Sequence, residues 1–489
     1  MKRRTMNSLL LAAVACMVAL WIAFWWYSGQ RVVPPGVRLG DLPIGGMPER
    51  QFRLELQSRL ANLYGETVRL GPGENLEGSR PFTWGQLGLS VREEELSKWA
   101  DYWFGASRLE TVKRRWQMRG SVIPVHLELS ETALREALSK VWPAPMNPVT
   151  RNAVRRITAD DRVEYVPEQR AAAVDVPELV KCLTDLAYSR FNDRALTEEG
   201  NADPPPFVVL PMKEAVPEMT LDRLQAQGID RKIAEYSTTS PGSAAGRNHN
   251  IRVTAGTIHD KLLAPGEQFD YGAIIRETEK THGFQEAPVI YNGKLVPGIG
   301  GGICQVSTTL YNAVLRAGLK VNERRNHTLP ISYAPLGLDA TFASGYINFV
   351  FTNSSDQYLL IRTETDESRV TVKLFGRLPE NVTYDVESHV IQTLEPPVQY
   401  VHNPTLPLGS QTLLQQGKPG FVVETYRIRK ENGAETGREK LSKDTYQPQT
   451  TLIAVNNGEV KPEEKNGPPG GGKPIVEDGV SGPVFPKGR

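Results

Sequence analysis

Three residues in the middle of the chain carry the types that nucleophilic acyl transfer uses: Cys304, His327 and Asp339, in that order. In such a set a thiolate attacks a carbonyl, an imidazole takes and returns the proton, and a carboxylate orients the imidazole. Cys304 follows a glycine run, Gly298, Gly300, Gly301 and Gly302, and Gln305 directly after it is a candidate oxyanion donor. A cysteine on the first turn of a helix lies beside free N–H groups and the positive end of the helix dipole, which favour a thiolate. A second reading of the same residues stays open. A free cysteine is often a small buried hydrophobe, His327 then satisfies a core hydrogen bond, and Asp339 caps a turn.

The elements that must position these groups are legible around them. Val306, Leu310, Ala313, Val314 and Ala317 recur at helical spacing until Gly318, which predicts a buried amphipathic helix with Gly318 near its C-cap. Cys304 to Leu319 then spans roughly 22 Å at 1.5 Å per residue. Leu319 to His327, if extended, spans roughly 26 Å, so a returning strand brings His327 back to the level of Cys304. Asp339 follows a turn-rich connection with Pro330, Pro335 and Gly337.

The chain has 489 residues, a length expected for about three domains, and a net charge of +1. That balance argues against a nucleic-acid partner, and no phosphate-binding loop or zinc motif is present in the sequence. The seven histidines are scattered without ligand spacing, so no metal and no cofactor is expected. Three distant cysteines, Cys16, Cys182 and Cys304, do not make a disulfide scaffold.

At the N-terminus Lys2, Arg3 and Arg4 precede an unbroken apolar run, Leu9–Tyr27, ending in Trp21, Phe24, Trp25, Trp26 and Tyr27. Its length as a helix, about 28 Å, matches a bilayer core, and the basic flank places the N-terminus inside and the bulk of the chain outside. A retained anchor over residues 9–27 is the first expectation; a cleaved signal peptide and a lipidated Cys16 are the alternatives. The expected fold class is α+β and multidomain. After residues 1–30 come two small α+β modules, 31–125 and 126–235, suggested by a weak internal repeat: Gly88–Trp99 against Ala171–Leu183. Residues 236–378 hold the central helix, a hairpin around Asn292-Gly293, and an antiparallel meander over Tyr346–Phe351, Tyr358–Arg362 and Val370–Phe375. Residues 379–458 read as an all-β domain with Val390, Val398, Leu413, Val422, Tyr426 and Ile428 among its core candidates. The Gly/Pro-rich stretch 459–489 reads as a disordered tail.

The segment from about Tyr236 to Arg377 resembles the VanW family, named for an accessory protein of vancomycin-resistance clusters. The resemblance rests on Arg247 with Asn250-Ile251, Pro265-Gly266-Glu267, the run Gly300 to Asn312, His327 with Pro330 and Tyr333, and Asp339-Ala340-Thr341. Arg247, Asn250, Gly301, Gly302, Arg325 and Tyr333 are the ligand-binding candidates. Residues 37–212 resemble the peptidoglycan-binding modules found ahead of this domain. Val382–Gly458 resembles the G-five (G5) domain, with Gly409, Gly417, Gly420 and Gly433 in its pattern. The resemblance implies a membrane-anchored, extracytoplasmic, cell-wall-associated protein whose partner is peptidoglycan or another N-acetylglucosamine-containing glycan, with a link to glycopeptide-antibiotic response. Aromatic faces suit glycans, and Trp84, Trp99, Trp103, Trp116 and Tyr400 are candidates. The alternative is a cysteine acyltransferase or amidase on wall peptides, with Cys304, His327 and Asp339 as its groups and Arg324 or Arg325 on a peptide carboxylate.

Overall fold

The computed structural model describes residues 2–74, 76–105, 107–193, 204–291, 294–458 and 475–481. The chain divides into two compact units, 1–152 with 168–218, and 153–167 with 219–489.

The first unit begins with the helix Lys2–Gly29. Its stretch Leu10–Gly29 is 20 residues long with a mean hydropathy of 2.0, long and apolar enough to cross a membrane. Anchor and signal sequence share those properties. Beyond it, one apolar cluster runs from Val33 to Leu210 and draws on residues from both segments expected to form separate modules. The reason lies in strand pairing. Thr67–Gly71 has Arg80–Thr83 antiparallel on one side and Phe207–Val209 parallel on the other. Phe207–Val209, from the stretch expected to form the second module, is therefore hydrogen-bonded into the first. The helix Val176–Asn192 buries Val176, Leu179, Leu183, Ala187 and Phe191, a stripe at three- and four-residue spacing.

In the second unit a four-stranded antiparallel sheet runs in the order Arg231–Thr239, Arg369–Gly376, Leu359–Thr365, Lys261–Leu263. Of Thr220–Thr239, which reads from sequence as a short helix running into a loop, Leu221–Ala226 is the helix and Arg231–Thr239 is a strand. Val350–Thr352, expected to open the meander, instead joins Gln268–Asp270 and Lys320–Glu323 in a second sheet. Helices Ala245–Ile258, Tyr271–His282 and Ile303–Arg316 belong to this unit. Every residue from Ile303 to Leu315 of the last is buried, polar ones included. We call it the central helix. The hairpin Glu286–Tyr291 with Lys294–Ile299 forms as expected, and its turn residues 292–293 lie outside the described residues.

Residues 382–455 form two narrow sheets of three strands each. Val390, Val398 and Leu413, expected in the core, are 51%, 53% and 52% exposed. Ribbons this narrow have no second layer over one face, so alternation alone does not bury a side chain. Val382, Val422, Val423, Ile428, Tyr446 and Ala454 are the buried hydrophobic residues there. The C-terminal stretch also differs from expectation. Within the segment read as disordered, Ile475–Ser481 is ordered, and Val476–Glu477 pairs as a strand with Ile290–Tyr291.

Candidate functional site

The central helix positions the site through its polar residues. Ser307 Oγ donates to Ala340 O at 2.6 Å, Asn312 Nδ2 donates to Leu338 O at 2.6 Å, and Ala340 N donates to Thr308 Oγ1 at 3.0 Å. The extended stretch Leu338–Phe342 is thus held along the helix by side chains, which satisfy its backbone in place of a neighbouring strand. This places Asp339 and Phe342 beside the helix. On the other side of the helix Thr309 shares a 2.8 Å hydroxyl bond with Thr238.

Asp339 and His327 come together. Asp339 Oδ2 lies 2.7 Å from His327 Nδ1 and accepts the His327 backbone N–H at 2.7 Å, with both side chains fully buried. Its Oδ1 accepts from Tyr446 Oη and pairs with Arg324 at 3.2 Å. Arg324 reaches Asp444 at 2.6 Å and donates to Asp339 O at 2.6 Å. Burial would raise the Asp339 carboxyl, but the bond and charge of His327, with Arg324 behind them, hold it at about 2. Burial likewise works against the imidazolium, and Asp339 outweighs it, so the His327 pKa is raised. His327 Nε2 is buried and has no hydrogen-bond partner among the described residues.

Cys304 sits on the first turn of the central helix, fully buried. Its Sγ accepts from Phe342 N at 3.0 Å and lies 3.5 Å from Phe342 O, to which the thiol donates. The thiol is therefore bonded to backbone and not to the imidazole. The free N–H groups expected to favour a thiolate are occupied. Gly302 N and Cys304 N donate to Asp478 Oδ1 at 3.1 and 2.8 Å. Burial, then the adjacent Asp478 charge, pushes the Cys304 thiol well above its ordinary value.

The remaining candidates divide between site and scaffold. Arg247 donates to Asp478 Oδ2 and to Gln305 Oε1, both at 3.1 Å. Its guanidinium stands 5.6 Å from the Tyr333 ring centre, and the Tyr333 and His327 rings are 6.5 Å apart, edge to face. Tyr333 Oη and Gln305 Nε2 are buried without partners among the described residues. Gln305 thus belongs to the cluster around Arg247, with its amide N–H2 unused. Gly302 has φ +107°, and a Cβ there would stand 2.8 Å from Arg247 Cγ. Gly301 is scaffold, since a Cβ there would stand 2.3 Å from Pro288 O. So is Asn250, which bonds Gln285 N at 2.7 Å and Gly301 O at 3.0 Å. Arg325 is exposed, and its carbonyl accepts from Thr341 N at 2.9 Å. Arg324 is spent on Asp339 and Asp444, so neither arginine 324 nor 325 is free inside the site for a peptide carboxylate.

Sequence reasoning missed Asp478 and its neighbour Glu477. Their signal was present: Ile475-Val476-Glu477-Asp478-Gly479-Val480 is an apolar–acidic island in a Gly/Pro-rich stretch. It missed Tyr446 and Asp444 for a different reason, since nothing local links them to residue 339.

Comparison with known proteins follows the same boundaries. Residues 246–375 match the VanW-like protein family, and residues 385–457 match the G5 domain. The chain carries a VanW domain followed by a G5 domain. It is 36% identical over 171 residues to YoaR of Bacillus subtilis (strain 168), a match covering 34% of this chain and 56% of YoaR. It is 28% identical over 148 residues to the vancomycin B-type resistance protein VanW of Enterococcus faecalis (strain ATCC 700802 / V583), covering 29% of this chain and 54% of that protein. The chain therefore spans little more than half the length of these relatives. The solved G5 domain of an IgA1 protease is 28% identical, covering 15% of this chain and 88% of that one, with a TM-score of 0.13. The Cys304 helix, His327 and Asp339 all lie in the VanW domain, and Asp444 and Tyr446 come from the G5 domain.

Proposed function

We propose that this is a cell-envelope protein, held at the membrane through Leu10–Gly29, that binds peptidoglycan or another N-acetylglucosamine-containing glycan outside the cell and contributes to the response to glycopeptide antibiotics. The family matches support an envelope setting. The observation that carries glycan binding is a cleft of about 550 Å³ in the first unit, lined by Trp99, Tyr102, Met118, Pro124, His126 and Glu95. Trp99 meets Tyr102 edge to face at 5.8 Å, and His126 Nδ1 lies 3.0 Å from Glu95 Oε2 at the rim. Aromatic faces take the C–H side of a sugar ring, and planar polar groups at the rim take its hydroxyls. Of the other aromatic candidates, Trp84 and Trp103 are buried core residues, at 0% and 1% exposure, and are not available. Trp116 and Tyr400 are exposed. The test is co-sedimentation of the detergent-solubilised full chain with purified peptidoglycan sacculi. Wild type is expected in the pellet, with Trp99→Ala reducing the bound fraction at least fivefold. A wild-type chain that stays in the supernatant ends the proposal.

A second reading, acyl transfer by Cys304, His327 and Asp339, is favoured by the His327 ring. Asp339 fixes Nδ1 and leaves Nε2 buried and unpartnered, as a general base requires. In this structure the thiol is engaged by Phe342, so the reaction requires Sγ to leave that contact. Iodoacetamide labelling of Cys304, read by mass spectrometry near neutral pH, tests it: a rate no faster than that of an unfolded control counts against an activated thiolate.

A further inference from the structure

We propose that the surface over the first turn of the central helix is a binding groove for an extended acidic peptide, and that the chain's own segment Ile475–Ser481 fills it as an internal ligand. The segment arrives 174 residues after Cys304 in sequence and enters by strand addition. Val476 and Glu477 pair with Tyr291 and Ile290, and Val480 N donates to Ile299 O at 2.9 Å. Gly479 forms a parallel bridge with Ala343. The backbone thus supplies affinity, and two side chains supply the reading.

Each acidic side chain has a cradle. Asp478, at φ +57°, turns its carboxylate onto Gly302 N, Cys304 N and Arg247. This is a helix N-terminus reinforced by a guanidinium, the arrangement expected of an anion site. Glu477 accepts from Thr328 N at 2.9 Å and from the Thr328 hydroxyl. Gly479 is closely fitted: a Cβ there would lie 2.6 Å from Val289 Cγ1 and 3.0 Å from Ile299 O. A side chain after the aspartate would have to displace Val289, so this point favours glycine.

A second observation marks the place as a ligand site beyond the helix end. Gln305 Nε2, His327 Nε2, Tyr333 Oη and Thr341 Oγ1 are buried polar atoms with no partner among the described residues. All four belong to residues of the VanW domain, and Gln305 and Tyr333 adjoin the Arg247 that holds Asp478. Internal structure satisfies nearly every buried polar atom, so Gln305 Nε2 and Tyr333 Oη, beside the Arg247 that holds Asp478, are groups open to an occupant. Beside Val480 a further cleft of about 290 Å³, bordered by Phe342, Ser344, Tyr346 and Asn348, gives a longer peptide room to continue. The occupant in trans is therefore an extended peptide with adjacent carboxylates followed by glycine, in competition with the segment already in place.

The test uses a fluorescein-labelled peptide with the sequence of residues 474–482, measured by fluorescence anisotropy against the full chain in detergent. The full-length variant Glu477→Ala/Asp478→Ala has a weakened internal ligand. We expect it to bind the peptide at least tenfold more tightly than wild type does, and to bind a peptide carrying Asp478→Asn at least tenfold more weakly. A variant with wild-type circular dichroism that binds neither peptide, or binds both equally, overturns the proposal. If the variant does not fold, a specific protease site placed within residues 459–474 of the otherwise native chain replaces it. After cleavage, excess labelled peptide is expected to displace the segment, with the Asp478→Asn peptide failing to do so. A cleaved segment that resists displacement by either peptide also overturns it.

Discussion

Two arginine–carboxylate clusters adjoin the central helix, and they are built for different purposes. In the first, Arg324 joins Asp339 and Asp444 and Tyr446 joins Asp339; Asp444 and Tyr446 lie on the strand Ala434–Tyr446, and Asp339 lies in the stretch held along the helix. In the second, Arg247 joins Gln305 and Asp478, and Asp478 comes from a short segment connected through residues 459–474. The side chains of Arg324 and Asp339 are 5% and 0% exposed; those of Arg247 and Asp478 are 13% and 9%. Burial is similar, but the way out is not. Removing Asp339 takes the carboxylate from His327 and leaves Arg324 with Asp444 alone, whereas removing Asp478 takes from Arg247 its one carboxylate partner among the described residues. The lesson is that equal burial does not imply equal permanence.

The largest expected effect breaks the first cluster. Asp339→Ala should cost about 3–5 kcal/mol in urea unfolding, as for any buried pair deprived of one partner, while Asp478→Ala should cost about 1–2 kcal/mol, the loss of a helix cap. Equal losses for the two variants would erase the distinction. Next comes acid sensitivity. Asp339 is held at about 2 against an ordinary 3.8, so its contribution is present above pH 3.8 and is lost as pH falls from there through 2. That shift corresponds to about 2 kcal/mol, and Asp339→Asn should remove it from a plot of melting temperature against pH. His327 has the opposite sign. Its pKa is raised, so its contribution is full below the ordinary value of 6.5 and fades as pH rises through the raised one. Gly302→Ala should cost about 1–2 kcal/mol, because the residue sits at positive φ with Arg247 against its missing Cβ. Alkylation of Cys304 sharpens the comparison kinetically: Asp478→Ala should speed it about tenfold by removing an anion and opening a path, while a conservative change in the first cluster, Asp444→Asn, should leave it within twofold. The smallest effect is Trp116→Ala, an exposed site expected to change stability by less than about 0.5 kcal/mol.

Much of the site was readable where local pattern carried it. The central helix, its glycine entry and the Gly318 stop followed from spacing, because a helix buried on its apolar residues announces its period. The α+β class, the apolar N-terminal helix and the β-rich C-terminal domain were legible for the same reason. Arg231–Thr239 was misread because its strand character depends on pairing with Arg369–Gly376, more than a hundred residues later in the sequence. Val390, Val398 and Leu413 were misplaced because alternation reports a face and not whether anything covers it.

The amino-acid order alone therefore determined which groups are available: one sulfur at a helix start, one imidazole, one carboxylate twelve residues on. Their state was decided only by tertiary structure. Asp339 stays ionised despite burial because the His327 bond and charge, with Arg324 behind them, outweigh it, and Cys304 is a thiol because it is buried and the Asp478 charge lies beside it. Ionisation depends on burial and on charges a few ångströms away, and those neighbours lie more than a hundred residues distant along the chain in Tyr446 and Asp478.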